Sequence, residues 1–178
     1  MINCGIFLRS YPVRENSFIF KILTNSQGSV PALLRGSKKR VFSKLIFPGS
    51  LIDVELIKTR GEIMILNDYK VIKSPMITSF RQSILLSLYL EVLDKIAKGA
   101  FESVQRVFKN IILDDETQFK DLNWLIRCLN EEFYYAGFLD KFSHEKCTGD
   151  LKTLKKQIIE TLGYLPKSLK LIEKEYHE

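Results

Sequence analysis

Cysteine is scarce and unpaired in this sequence: Cys4, Cys128 and Cys147 are widely spaced, and no Cys-x-x-Cys occurs. Such an odd, scattered set argues against a disulfide framework and for a reducing compartment. Histidine is scarcer still, with only His144 and His177. A nucleophile–base arrangement needs a base that titrates near neutrality. His177 is the penultimate residue, and His144 in the Ser143–Gly149 stretch reads as a surface histidine. A structural zinc site draws four ligands from paired motifs. His144-x-x-Cys147, even joined by Cys128, does not supply them, so no metal or other cofactor is expected. The nine glycines are scattered singly, which excludes both Gly-x-x-x-x-Gly-Lys-Ser/Thr and Gly-x-Gly-x-x-Gly phosphate loops. Asp114-Asp115-Glu116 lacks the spacing of a calcium loop and reads as a helix end with a solvated turn. Nothing in this set supports an enzyme. Long apolar runs are missing too. Ile84–Leu93 is too short to cross a bilayer and contains Ser87 and Glu91. The first five residues have no basic-then-apolar signal pattern, so a cytoplasmic location is expected.

Negative charge is absent from one long stretch. Between Asn16 and Ile52 there is no acid, while Lys21, Arg35, Lys38, Lys39, Arg40 and Lys44 are all present. The formal net charge of +6 is distributed accordingly. Residues 1–75 carry 12 Lys and Arg against 5 Asp and Glu, or +7; residues 76–178 carry 15 against 16, or −1. A field localised in this way attracts polyanions, although a solvated basic loop has the same composition. With 46% hydrophobic and 27% charged residues, the chain is too apolar for wholesale disorder and long enough for one good core or two small ones.

The two regions also differ in periodicity. Up to residue 75 short β-patterned runs alternate with turn signals: Cys4–Arg9 before Tyr11-Pro12, then Ser17–Thr24, Ser29–Arg35, Leu51–Thr59 and Glu62–Val71. In Ser17–Thr24, Phe18, Phe20 and Ile22 share one face opposite Lys21, which makes the two phenylalanines core. Asn25-Ser26-Gln27-Gly28 closes a turn, Pro31 points to an edge or a bulge, and Arg60-Gly61 makes a tight connection. Five short strands with the longest gap after the third predict a small closed barrel of oligonucleotide-binding type. Beyond Ser74-Pro75 the period becomes helical. Helices are predicted over Phe80–Ala97, Phe101–Leu113, Phe119–Ala136 and Asp150–Leu162, with a short last one after Pro166. The first is apolar on nearly every face and should be the centre of a bundle; Gly137 is placed to cap the third. The expected class is α+β: a five-stranded barrel over 1–76, then an all-α domain over 77–178.

A barrel with a basic rim can track a nucleic-acid backbone and stack bases on exposed aromatics. Arg35, Lys38, Lys39, Arg40 and Lys44 are the main candidates, with Gly36 letting the backbone come close. Phe42 is either a stacking side chain or a plug for the barrel end. Lys21 belongs to the same acid-free stretch, and Arg9, Tyr11 and Arg14 form a second, weaker signal at the first turn.

Several of these features recur in one order. Gly5-Ile6-Phe7-Leu8-Arg9-Ser10-Tyr11, Glu15-Asn16-Ser17, Leu23-Thr24 with Gly28, Leu34-Arg35-Gly36-Ser37-Lys38-Lys39, Ser43, and Glu55-Leu56 with Gly61 resemble the N-terminal domain of the bacterial recombination mediator RecO. The resemblance covers roughly residues 1–80. It implies an oligonucleotide-binding barrel and a non-enzymatic role in recombinational DNA repair. It further implies binding of single- and double-stranded DNA, strand annealing, and engagement of the C-terminal tail of single-stranded-DNA-binding protein. With RecR as partner, it implies help in loading RecA onto coated DNA. The DNA-contacting role falls on Arg35, Lys38 and Lys39; charge alone adds Arg40 and Lys44. Many relatives are longer and carry a cysteine-rich, zinc-finger-like insertion in the helical half. The paired cysteines are absent here, so that zinc site is not inherited. Two other readings of the residues stay open: an RNA-binding barrel, which differs through 2′-hydroxyl contacts, and an adaptor whose basic loop holds an acidic protein tail.

Overall fold

A computed structural model describes residues 2–14, 17–35, 46–97, 104–113, 121–139 and 151–176. They form two compact units: residues 1–76 with 97–113, and residues 77–96 with 114–178.

The first unit is built on five strands: β1 (Ile2–Arg14), β2 (Ser17–Thr24), β3 (Gly28–Arg35), β4 (Leu51–Ile57) and β5 (Met64–Lys73). Their order around the barrel is β1-β2-β3-β5-β4, closed by β4 on β1. This is the oligonucleotide-binding fold, followed by helices as expected. The strands form because their apolar residues alternate, so each has one face to bury. Phe20, Ile22, Val30, Ala32, Leu34, Ile52, Val54 and Leu66 point inward with Phe7 and Tyr69, and Phe18 packs partly buried at the margin. Phe7, Phe20 and Tyr69 stack as tilted rings with centroids 4.9 and 5.5 Å apart. Four pairings are antiparallel; β3–β5 is parallel and spans only Ala32–Leu34 against Met64–Leu66.

Two strand features depart from the sequence reading. β1 does not stop at Arg9 but continues through Tyr11-Pro12 to Arg14. Ile2–Cys4 pair with β4 alone and Gly5 and Ile6 with both neighbours, whereas from Phe7 onward β1 pairs with β2 alone, with register shifts at Phe7/Arg9 and Pro12/Arg14. A one-sided, bulged stretch is where a strand tolerates proline. The same logic holds for Pro31, opposite Lys21 on β2 but just before the first residue that pairs with β5. Gly5 is needed for a different reason. A Cβ there would stand 2.8 Å from Ile22 Cγ2 and 2.9 Å from the Leu23 carbonyl oxygen.

The helix after residue 100 joins this unit and not the bundle. α2 (Val104–Phe108) passes directly into a π-helical turn, Lys109–Leu113. α2 packs against β1, burying Val104 and Val107. The Val104 amide donates to Asn25 Oδ1 at 3.2 Å and the Ser29 amide to the Ala97 carbonyl at 2.8 Å. These bonds anchor the segment to the β2–β3 turn.

The second unit centres on α1 (Phe80–Ile96), buried on most of its faces as its sequence requires. Around it pack α3 (Leu122–Tyr135), α4 (Leu151–Leu162) and α5 (Lys167–Tyr176). Asp121 caps α3 by accepting from the Trp124 amide at 2.9 Å. At the other end Gly137 has φ +80°, and the Phe138 amide reaches back to the Phe133 carbonyl at 2.8 Å. The expected cap of α4, Asp150, lies outside the described residues. Glu132 is fully buried and accepts from Tyr89 Oη at 3.1 Å. Glu91 accepts from Tyr164 Oη at 2.8 Å and Ser168 Oγ at 3.0 Å, tying α1 to the start of α5.

Candidate nucleic-acid interface

Residues paired in register on adjacent strands point to the same side of a sheet. Arg9 is paired with Lys21 and Ser17 with Arg35. Since Phe18, Phe20 and Leu34 point inward, Lys21, Arg9 and Arg35 lie on the outer face of β1–β2–β3. Arg9 and Lys21 are immediate neighbours. Arg35 lies four residues further along the sheet, roughly 13 Å at the rise of an extended strand. Three of the residues singled out from the sequence are thus brought onto one surface. Lys38, Lys39, Arg40, Phe42 and Lys44 lie outside the described residues, as does Gly36.

Two further cations escaped the sequence reading. Lys58 and Arg60 sit on the exposed β4–β5 connection. In this fold the β1–β2 and β4–β5 loops flank the β2–β3 face. Arg60-Gly61 was legible as a turn, but only the barrel order shows where that turn stands. The turn is held by one side chain. Thr59 Oγ1 donates to the Ile63 carbonyl at 2.7 Å, and the Gly61 amide donates to Thr59 Oγ1 at 3.1 Å. This fixes the tip that carries Arg60.

The outer face of β4 and β5 has the opposite sign. Glu55 is in register with Asp68 and Asp53 with Lys70, and Asn67 Nδ2 donates to Glu55 Oε2 at 2.8 Å. Cys4 on β1 pairs with Asp53, and its thiol is raised above its ordinary pKa, first by burial and then by that carboxylate. A polyanion is therefore repelled from one side of the barrel and drawn to the other.

Among the described residues no three His, Cys, Asp or Glu side chains are grouped to hold a metal ion. His144 and Cys147 lie outside the described residues, and Cys128 is buried in α3. No helix among the described residues is long and apolar enough to cross a membrane. Residues 2–75 match the family model described as recombination protein O, N-terminal. No curated protein matches the chain.

Proposed function

We propose that this chain, whose barrel matches the N-terminal family model of recombination protein O, is a DNA-binding mediator of recombinational repair. The match over residues 2–75 supports a role in DNA recombination and repair. The observation that carries the finer reading is the gathering of Arg9, Lys21 and Arg35 on the outer face of an oligonucleotide-binding barrel, with Lys58 and Arg60 on the flanking loop. Cations spaced along a sheet face neutralise successive phosphates and release counterions, which gives affinity for single and double strands alike. Lys38, Lys39, Arg40 and Lys44 extend this set from the segment that follows β3, and Phe42 is its stacking candidate. Holding two strands against one cationic surface lowers their mutual repulsion, which is the physical basis for annealing. In this reading the helical unit, residues 77–96 with 114–178, receives protein partners: the tail of single-stranded-DNA-binding protein and RecR. The product of the whole is RecA loaded on coated DNA, in the cytoplasm.

Fluorescence anisotropy with an unstructured single strand tests the site. The wild type should bind with micromolar or better affinity at moderate salt. Replacing Arg9, Lys21 and Arg35 by Ala should weaken binding and flatten the log–log salt slope by about 2, at about 0.7 per phosphate contact. Unchanged affinity and slope in that variant would refute the assignment.

A further inference from the structure

The same parity that gathers the cations gathers a second set of side chains between them. Tyr11 is in register with Ile19, Ile19 with Leu33, Leu33 with Ile65, and Ile65 with Ile57. Partners in register share a face, so these five residues form one row around the outside of the barrel. The row crosses all five strands, including the short parallel seam. None of the five belongs to the interior cluster. The end members Tyr11 and Ile57 are 39% and 48% exposed, and the three between them are half-buried. Arg9 and Lys21 lie two residues to one side of the row, and Arg35 lies two residues to the other. The surface is therefore banded: cation, apolar, cation, with bands roughly 7 Å apart.

A duplex presents phosphates outward and keeps its bases stacked inside. It can satisfy the two cationic bands but has nothing to lay on the apolar one. An unpaired strand exposes base faces, and these lose water against isoleucine, leucine and a tyrosine ring. We propose that the Tyr11–Ile19–Leu33 stretch of this row, the part that lies between the cations, is the base-contacting element of this face and makes it select unpaired over paired strands. The inference rests on the cationic face being the nucleic-acid site. Charge sets how tightly any strand is held, and the row sets which kind. Apart from the Tyr11 hydroxyl these side chains carry no hydrogen-bonding group, so they read base surface without reading sequence.

Two fluorescent probes separate the roles in the full-length chain: oligothymidine, and a blunt mixed-sequence duplex of the same length. Tyr11→Ala combined with Ile19→Thr and Leu33→Thr leaves every cation in place. It should weaken oligothymidine binding about tenfold or more, leave duplex binding unchanged, and leave the salt slope unchanged. Tyr11→Ala alone changes an exposed side chain and should give part of the effect with wild-type folding; Tyr11→Phe should restore it. Equal losses on both probes, or no loss on either, overturn the row as a selector. If the wild type binds neither probe, the cationic site itself fails, which is a separate result. An acidic peptide with apolar side chains supplies the remaining arm. Loss of that peptide in the row variant, with oligothymidine unaffected, would make the row a protein-docking surface and overturn the proposal.

Discussion

Gly5 offers a test in which the sign of the effect is diagnostic. It pairs with Thr24 on one side and Ile52 on the other, where β1 is clasped between β2 and β4. Replacing a strand glycine by alanine ordinarily stabilises a protein by about 0.5–1 kcal/mol, because less backbone entropy is lost on folding. Here the added methyl would meet Ile22 Cγ2 at 2.8 Å and the Leu23 carbonyl oxygen at 2.9 Å. Ile22 is fully buried among packed neighbours, and the Leu23 oxygen belongs to the backbone, so neither can swing away. Overpacking of this kind costs about 1–3 kcal/mol, and a backbone clash belongs at the upper end. After the entropy gain, Gly5→Ala should destabilise the barrel by roughly 2–2.5 kcal/mol. For a unit of this size that lowers Tm by about 8–20 °C. Gly61→Ala is the control, since its Cβ would meet nothing closer than Thr59 Oγ1 at 3.9 Å. It should stay within about 0.5 kcal/mol of wild type. Thermal melts followed by far-ultraviolet circular dichroism give both numbers. If Gly5→Ala melts with or above Gly61→Ala, the close approach of β1 and β2 is not what requires glycine.

Two further expectations concern groups away from the cationic face. Tyr89→Phe removes a donor to the buried Glu132 carboxylate while keeping the ring against Trp124, 5.5 Å between centroids; it should cost about 1–3 kcal/mol in urea unfolding followed by Trp124 emission, and an unchanged midpoint would show that the bond carries no net stability. The Cys4 thiol is raised above its ordinary pKa by burial and by Asp53, so little thiolate exists at neutral pH. Its alkylation should be slow at neutrality and accelerate as pH rises through that raised pKa. Asp53→Asn removes the second cause and should speed the reaction at a given pH; an unaltered rate would leave burial as the whole cause.

The barrel was legible because its strands largely follow a two-residue period. Phe20 and Ile22 could be assigned inward from alternation, opposite Lys21, without any knowledge of pairing. The course of β1 past Pro12 was not legible, because a proline excludes a ladder bond only where its nitrogen faces a paired strand, and pairing is a tertiary fact. Charge arithmetic found Lys21 and Arg35 but passed over Lys58 and Arg60. Those two have Glu55 and Glu62 as sequence neighbours, so the acid-free stretch does not include them. The apolar row was beyond sequence reading. Its members come one from each strand, and only the register joins them. In the helical half, the central helix was legible from its apolar character on every side. That the next segment would leave the bundle for β1 was not, since Val104 and Val107 fit a stripe facing either partner.

The three-residue seam between β3 and β5 carries a consequence for how the chain reaches its fold. Hairpins β1–β2, β2–β3 and β4–β5 are local and can form early, whereas β3–β5 joins distant segments and must close late. Until it does, β3 presents a free edge, the kind of surface on which incomplete barrels pair with one another and precipitate. Pro31 sits on that edge immediately before the residues that will bind β5. Lacking an N–H, it interrupts the row of donors that a stray strand would need, yet leaves Ala32–Leu34 intact for the correct one. A proline beside an open strand edge is one of the features that blunt pairing between incomplete barrels, so Pro31→Ala should increase precipitation on refolding.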